Sequence, residues 1–198
     1  MNVQEATTRR LPDLKERHLP ENCRETINTI LKETYGYEQF RNLEIYDDLS
    51  KGKEKLCISQ GQLIENVILE AEKAWKSETQ VDNILLTAPT GSGKSLLFQL
   101  PAIYLGKEYN LLTIVVSPLK ALIVDQVESL QELGYARVAY ASSDLSPEQK
   151  MEVYRQVREG EIDLFYLSPE LLLSYDIKHF VGERRIGLVV VDEAHTVT

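Results

Sequence analysis

The chain has few cysteines, which cross-link small proteins, and few glycines and prolines, which interrupt helices and strands. Its 198 residues include only two cysteines, 10 glycines and 7 prolines. Cys23 and Cys57 lie far apart, with no second thiol or histidine pair beside either, so the sequence predicts neither a disulfide framework nor a zinc site. No repeat and no low-complexity tract occurs. We therefore expect an ordered globular protein with two reduced thiols.

Basic residues and long apolar runs are also scarce. Lys and Arg total 22 against 31 for Asp and Glu, which gives a net charge of −9 and excludes a broad electrostatic clamp on nucleic acid. No apolar run approaches the roughly 18 residues of a membrane span, and the first residues lack the apolar core of a signal peptide. These absences predict a cytoplasmic protein that makes no contact with a membrane.

Residues 1–55 are polar and charged, with one clear amphipathic segment. Glu21 to Tyr35 places apolar residues at helical spacing, and Gly36 follows as a stop signal. The segment from Tyr46 to Lys55 holds a predicted turn. We predict that 1–55 form a mostly helical N-terminal extension, which could dock a protein partner, and that a second helix begins at Ser59 and ends near Ser77.

From Val81 onward, short apolar runs alternate with longer amphipathic segments, which is typical of strands joined by helices. The predicted strands are Ile84–Ala88, Leu112–Ser117, Arg137–Ala141, Leu164–Ser168 and Leu188–Asp192. The predicted helices are Ser95–Leu105, Leu119–Leu133 and Ser146–Arg158. Unalternated apolar strands are covered on both faces. The fold class predicted for 56–198 is therefore α/β, a parallel sheet with helices on both faces, whose ligands bind at the carboxyl ends of the strands.

A phosphate-binding loop follows the first predicted strand and opens a helix. It reads Ala88-Pro89-Thr90-Gly91-Ser92-Gly93-Lys94-Ser95. Gly91 and Gly93 allow successive N–H groups to turn toward phosphate oxygens, Lys94 supplies a charge near the outer phosphates, and Ser95 offers a hydroxyl to Mg²⁺. A chance glycine-rich turn is the alternative. The flanking strand and helix favour an ATP site, in which all eight residues contact the nucleotide.

Paired carboxylates follow the last predicted strand. Asp192-Glu193-Ala194-His195 places one carboxylate to hold Mg²⁺ and a second to take a proton from the attacking water. Taken alone, this tetrapeptide could be a solvated helix cap. Together with the phosphate loop it predicts ATP hydrolysis, with Lys94, Asp192 and Glu193 as the catalytic residues.

The motifs in 84–198 resemble those of superfamily 2 helicases. The run from Gly91 to Ala102, with its Phe-Gln-Leu-Pro-Ala ending, resembles RecQ-type DNA helicases in particular. Val115 to Val127 is similar to that family's Ser-Pro-Leu motif, Leu164 to Leu171 to its Ala-Pro-Glu motif, and 192–195 to its DEAH box. Further upstream, the run from Tyr35 to Arg41 resembles the opening of the family. The resemblance implies a RecA-like domain that couples ATP hydrolysis to movement on DNA, with His195 in the coupling.

In that family a glutamine that reads adenine closely follows the Phe-Arg pair. Here Phe40-Arg41 is followed by an insertion, and the next helix begins with two glutamines. We favour Gln62 as the adenine reader, because an amide can both donate to and accept from adenine's edge. Gln60 and Gln39 remain alternatives, as does a surface glutamine with no ligand.

The resemblance also implies contacts with nucleic acid at two turns that follow strands. The implied contact residues are Ser117, Pro118, Lys120, Ser168, Pro169 and Glu170. Backbone amides and hydroxyls at such turns grip a single strand with few lysines and read no sequence. This is compatible with a net charge of −9, although an ordinary turn with proline at the first helical position is the alternative for each.

By the same resemblance, a second RecA-like domain supplies arginines for hydrolysis, and the chain stops before any such domain. We therefore expect an N-terminal piece of a longer helicase that acts on single-stranded DNA or tailed duplexes and that, alone, binds Mg-ATP with little turnover. Two other functions stay open: a double-strand translocase that never separates strands, and a nucleotide-binding regulatory or interaction module.

Overall fold

The computed structural model describes residues 17–46, 55–76, 83–86 and 91–192. The chain divides into two compact units, an N-terminal unit of residues 1–101 and a C-terminal unit of residues 102–198. The predicted domain boundary at residue 55 stays a prediction. No helix in the described ranges is long and apolar enough to cross a membrane.

Two complete helices and a hairpin lie in the described part of the N-terminal unit. Helix α1 is Glu21–Tyr35, as predicted, and ends at Gly36 in the left-handed conformation with φ 70°. The hairpin, which was not predicted, pairs strand β1, Asn42–Tyr46, antiparallel with β2, Lys55–Ser59. Helix α2, Gln60–Trp75, follows at once, and the Ser59 hydroxyl caps it by accepting from the Gly61 amide. The apolar stripes of both helices are buried, at Ile27, Ile30, Leu31, Leu63, Ile64, Ile68 and Ala71.

The remaining elements follow the predicted alternation. They are α3, Leu96–Tyr109; β3, Leu112–Val116; α4, Lys120–Glu132; β4, Val138–Ala141; α5, Pro147–Arg158; β5, Leu164–Leu167; α6, Pro169–Ser174; α7, Ile177–Val181; and β6, Ile186–Val191. Strands β3 to β6 form a parallel sheet in the order β4-β5-β3-β6. The parallel sheet with its connecting helices confirms the predicted α/β fold.

The core of the C-terminal unit explains why these segments became central strands. Alternate residues of β3 and β5 pack with α5 and α7 around the edge-to-face rings of Tyr154 and Phe180, whose centroids lie 5.2 Å apart. All five residues of β3 and all four of β5 are buried. The central strands are therefore covered on both faces, as their unalternated apolar sequences require.

The first predicted strand, Ile84–Ala88, is wrong over its described residues. Residues 83–86 belong to no strand, and Leu85 is 86% exposed. Strand β6 also departs from the prediction, because Val189 and Val191 remain 58% and 53% exposed. An apolar run creates a strand only where a neighbouring strand accepts its hydrogen bonds, and apolar content alone did not reveal whether that neighbour was present.

Candidate functional site

The described part of the phosphate loop, residues 91–95, carries the backbone geometry that its sequence predicts. Gly91 and Gly93 both adopt left-handed conformations, with φ of 79° and 80°. Open space surrounds the missing side chain of Gly91, whereas a Cβ on Gly93 would lie 2.6 Å from the Gln60 amide nitrogen. Lys94 and Ser95 follow directly and lead into α3 at Leu96. Ala88, Pro89 and Thr90 lie outside the described residues.

The chemistry of this loop fits a phosphate ligand. Successive amides around left-handed glycines form a concave set of N–H donors at the start of a helix, the arrangement that binds phosphate oxygens. Within the described residues, the Ser92 hydroxyl is buried with no hydrogen-bond partner. The loop thus combines N–H donors, a lysine charge and an unsatisfied hydroxyl.

The two glutamines at the start of α2 have different surroundings. The Gln60 side chain is buried, and its amide nitrogen donates to the Ser92 carbonyl of the phosphate loop at 3.2 Å. The Gln62 amide nitrogen donates instead to the Arg17 carbonyl at 3.4 Å. Gln62 lines a cleft of about 310 Å³ that is bordered by both helices of the N-terminal unit. Adenine recognition by Gln62 stays a prediction.

Three side chains just before the hairpin form a stack that the sequence resemblance did not single out as a site. The Arg41 guanidinium lies 5.8 Å from the centre of the Tyr37 ring, and Tyr37 stacks on Tyr35 at 6.4 Å. Tyr37 is 47% exposed. Aromatic and guanidinium planes are surfaces on which a nucleobase stacks. The aromatic-rich run between Tyr35 and Arg41 was the signal that could have pointed to it.

In the C-terminal unit, the polar residues predicted to act on ligands lie at the carboxyl edge of the sheet. The Ser117 amide donates to the Leu167 carbonyl at 3.1 Å, and the Asp192 amide to the Val116 carbonyl at 2.9 Å. Ser168 follows β5 directly and starts α6. Glu193 and His195 lie outside the described residues. The sheet order therefore brings Ser168, Ser117 and Asp192 to neighbouring strand ends, about 5 Å apart from strand to strand.

These strand-end residues differ in exposure. Ser117 and Ser168 are 2% exposed, and the Ser117 hydroxyl has no hydrogen-bond partner within the part of the chain that the structure describes. Pro118 and Pro169 are half-buried at the starts of their turns, while Lys120 and Glu170 are exposed. This edge therefore combines exposed charged side chains with two buried serines.

Lys120 already has protein partners. Its Nζ donates to the Ser143 hydroxyl and lies 2.9 Å from Asp144 Oδ1, in the turn that follows β4. This hydrogen bond lowers the pKa of Asp144 below its ordinary value. An exposed ion pair thus joins the turns that follow β3 and β4. Such a pair contributes little to stability in water.

The neighbouring arginines Arg184 and Arg185 differ in burial. The Arg184 side chain is only 5% exposed and lies 2.9 Å from the buried Asp163 carboxylate. It also donates to the carbonyls of Val157 and Ile162. Arg184 therefore ties together the chain around the starts of β5 and β6, whereas Arg185 is exposed.

Comparison with known proteins places these features in a family. Residues 69–198 match the model of the DEAD/DEAH box helicase family. The chain is 33% identical to the "ATP-dependent DNA helicase Q-like 5" of Arabidopsis thaliana, over 88% of this chain and 16% of that protein. It is 33% identical to the RecQ helicase of Synechocystis over 87% of this chain and 30% of that protein. With RecQ of Bacillus subtilis it shares 31% identity over 86% of this chain and 24% of that protein. The chain therefore spans less than a third of the length of these three relatives.

Proposed function

Since the chain belongs to the DEAD/DEAH box helicase family, we propose that it is the ATP-binding lobe of a RecQ-like DNA helicase. The observation that carries the proposal is the phosphate loop, with Gly91 and Gly93 both left-handed and Lys94-Ser95 opening α3. That geometry turns N–H donors toward one anion, and a domain that only served as scaffold would have no need of it.

Each predicted site residue has a separate role in the proposed hydrolysis of ATP. Lys94 places its charge near the outer phosphates. Ser95 and Asp192 would hold Mg²⁺ through a hydroxyl and a carboxylate oxygen, and the ion would supply positive charge against the negative charge that develops on the phosphates. Glu193 orients the attacking water and accepts its proton, and His195 couples the site to the rest of the motor.

Adenine recognition is proposed to involve the start of α2 and the stack before the hairpin. Gln62 can donate to and accept from the edge of the base, and Tyr37 and Arg41 offer planes for its face. If Gln62 reads the base, Gln62→Ala loses the preference for ATP over GTP in a competition assay with the wild type as reference. An unchanged preference for ATP over GTP would reject adenine recognition by Gln62.

Single-stranded DNA is proposed to cross the carboxyl edge of the sheet. Ser117, Pro118 and Lys120 would meet one stretch of backbone, and the turn from Ser168 to Glu170 the next. Serine hydroxyls at neighbouring strand ends suit phosphates that follow one another along a strand. The charge of −9 does not oppose this mode, because few ion pairs are involved.

Hydrolysis by these 198 residues alone is the direct test of the proposed division into lobes. Arginines of a second RecA-like domain are worth on the order of 10³–10⁵ in rate. The chain alone should therefore bind Mg-ATP and turn it over near the background rate, with or without single-stranded DNA. Robust DNA-stimulated hydrolysis would overturn the need for a second lobe.

The motor assignment is tested in a longer protein that joins this lobe to a second RecA-like domain. Lys94→Ala should abolish ATPase activity there, and equal rates for variant and wild type would reject the motor. Strand displacement on a tailed duplex, measured in the same preparation, separates a helicase from a translocase that leaves the duplex intact.

A further inference from the structure

Gln60 joins three segments of the N-terminal unit through its backbone and its side chain. Its backbone N–H donates to the Arg41 carbonyl at 2.9 Å, and its side-chain oxygen accepts from the Arg41 backbone N–H at 3.1 Å. Its side-chain nitrogen donates to the Ser92 carbonyl at 3.2 Å. The side chain is 3% exposed. A buried primary amide is held by such partners, because leaving either end unpaired is costly.

The contact with Arg41 closes the base of the hairpin. The ladder of β1 and β2 pairs Asn42 with Ser59, so Arg41 and Gln60 form the next step. Gln60 begins α2, and helical geometry directs its own carbonyl along the helix. The side-chain oxygen therefore takes the place of that carbonyl opposite the Arg41 amide. Gly61 lies against the Phe40 ring, where a Cβ would come within 2.6 Å of the ring, so the base of the hairpin is also packed closely.

The contact with Ser92 fixes a peptide plane of the phosphate loop. A trans peptide is planar, and its C=O and N–H point in opposite directions. By holding the Ser92 carbonyl, Gln60 sets the direction of the Gly93 N–H, which points away from it. Gly93 permits this approach, because a Cβ there would lie 2.6 Å from the Gln60 side-chain nitrogen.

We infer that Gln60 is a positioning residue that aims the Gly93 N–H at bound phosphate and links the phosphate loop to the base of the β1–β2 hairpin. This inference rests on the proposed nucleotide site and deepens it. Gln60 acts on the polyphosphate through the loop, so its contribution does not depend on the base. The link is reciprocal by thermodynamic necessity, so phosphate in the loop also stabilises the contacts of Arg41 with Gln60.

The test compares two ligands, Mg-ATP and Mg-tripolyphosphate, which lacks the base and the sugar. Titration calorimetry is done on the 198-residue wild type, on Gln60→Ala and on Gln62→Ala, the matched loss of an amide two residues further along α2 and facing elsewhere. Gln60→Ala should weaken both ligands by a similar factor, roughly tenfold, as expected for loss of an orienting hydrogen bond. Gln62→Ala should leave tripolyphosphate binding unchanged.

The outcomes separate this inference from the proposed function. A Gln60→Ala variant that binds tripolyphosphate as well as the wild type does would overturn the inference and leave the nucleotide site intact. A wild type that binds neither ligand would overturn the nucleotide site and the inference together. If Gln60→Ala does not fold, Gln60→Glu carries the same test, because it keeps an acceptor for the Arg41 amide and removes the amide donor to Ser92.

Hydrogen exchange reports the link in the other direction. Saturating tripolyphosphate should slow exchange of the Arg41 amide in the wild type and in Gln62→Ala. The slowing should disappear in Gln60→Ala, at a tripolyphosphate concentration raised to saturate the variant. Equal protection of the Arg41 amide with and without ligand in the wild type would contradict the link to the hairpin.

Discussion

The phosphate loop and the carboxyl edge of the sheet are held by polar contacts of opposite kinds. Gln60, whose side-chain amide contacts the loop, is 3% exposed, whereas the side chains of Lys120 and Asp144 at the sheet edge are 43% and 69% exposed. A buried contact is costly to break and fixes geometry. An exposed ion pair is worth little and can be exchanged for another anion. The difference suits a loop preorganised for the proposed nucleotide and an edge that takes up and releases the proposed single-stranded DNA.

The largest effect should come from Arg184 with Asp163, a deeply buried ion pair in the described part of the chain. Their side chains are 5% and 3% exposed, and removing one partner of a buried pair costs about 3–5 kcal/mol. Arg184→Met should lower the free energy of unfolding by about 3 kcal/mol in urea titrations, because Arg137 still pairs with Asp163. Arg185→Met, at the exposed neighbouring position, should change it by less than about 0.5 kcal/mol. Equal effects of the two variants would refute the distinction drawn between these arginines.

Gly93→Ala is expected to damage the preorganised loop next most strongly. The substitution forces a side chain into a left-handed conformation, which costs about 1–2 kcal/mol, and pushes against the Gln60 amide. Gly134→Ala is the matched control, since φ is 88° there and the space is open. Both variants incur the cost of the left-handed conformation, Gly93→Ala should lose more stability because of its contact with Gln60, and only Gly93→Ala should lose Mg-ATP affinity, by tenfold or more. Comparable ATP affinities in the two variants would argue against close fitting of the loop.

Lys120→Ala should have a smaller effect, on single-stranded DNA. One lost phosphate contact reduces the slope of log affinity against log salt by about one, with affinity falling a few-fold at moderate salt. Fluorescence anisotropy with an oligonucleotide across a salt series measures both quantities. Lys107→Ala removes an exposed charge from α3 and should leave the slope unchanged. Identical slopes for both variants would remove Lys120 from the proposed DNA surface.

Asp144→Asn should produce the smallest change, and in the opposite direction. Loss of the carboxylate frees Lys120 for phosphate, so affinity for single-stranded DNA should rise two- to threefold by the same assay. The hydrogen bond from Lys120 lowers the pKa of Asp144, so the carboxylate stays charged until the pH falls below the ordinary carboxyl range. The gain should therefore persist from pH 8 to pH 5. Asp125→Asn, an exposed acid on α4, provides the charge control. Weaker binding by Asp144→Asn would mean that the pair supports the DNA surface instead of competing for it.

The sequence predicted the elements whose signal is local. Helix α1 has the predicted bounds because its apolar spacing and Gly36 both mark it. Helix α5 begins as predicted because Ser146 and Gln149 form a reciprocal cap. The hairpin was missed, although Leu43 and Ile45 and then Leu56 and Ile58 alternate with polar residues. That period of two is a strand signal, hidden here by the charged composition of the region.

The sequence could not show which way a side chain faces or which residue it contacts. Gln60 and Gln62 are two residues apart, so about 200° of helical rotation separates them and one alone faces the phosphate loop. Periodicity left both open. Likewise Arg184 and Arg185 are equivalent in composition, and only the buried Asp163 carboxylate distinguishes them. Residues 84–86 carry the apolar content of a strand and yet belong to no strand in the structure.

The central claim is that residues 91–95 form a working nucleotide site. The measurement that tests it most directly is a calorimetric titration of Mg-ATP into the wild type, Lys94→Ala and Lys107→Ala. The account predicts one saturable site in the wild type, the same site in Lys107→Ala, and a loss of at least tenfold in affinity in Lys94→Ala. Equal affinity in Lys94→Ala and the wild type, or no binding by the wild type, would contradict it.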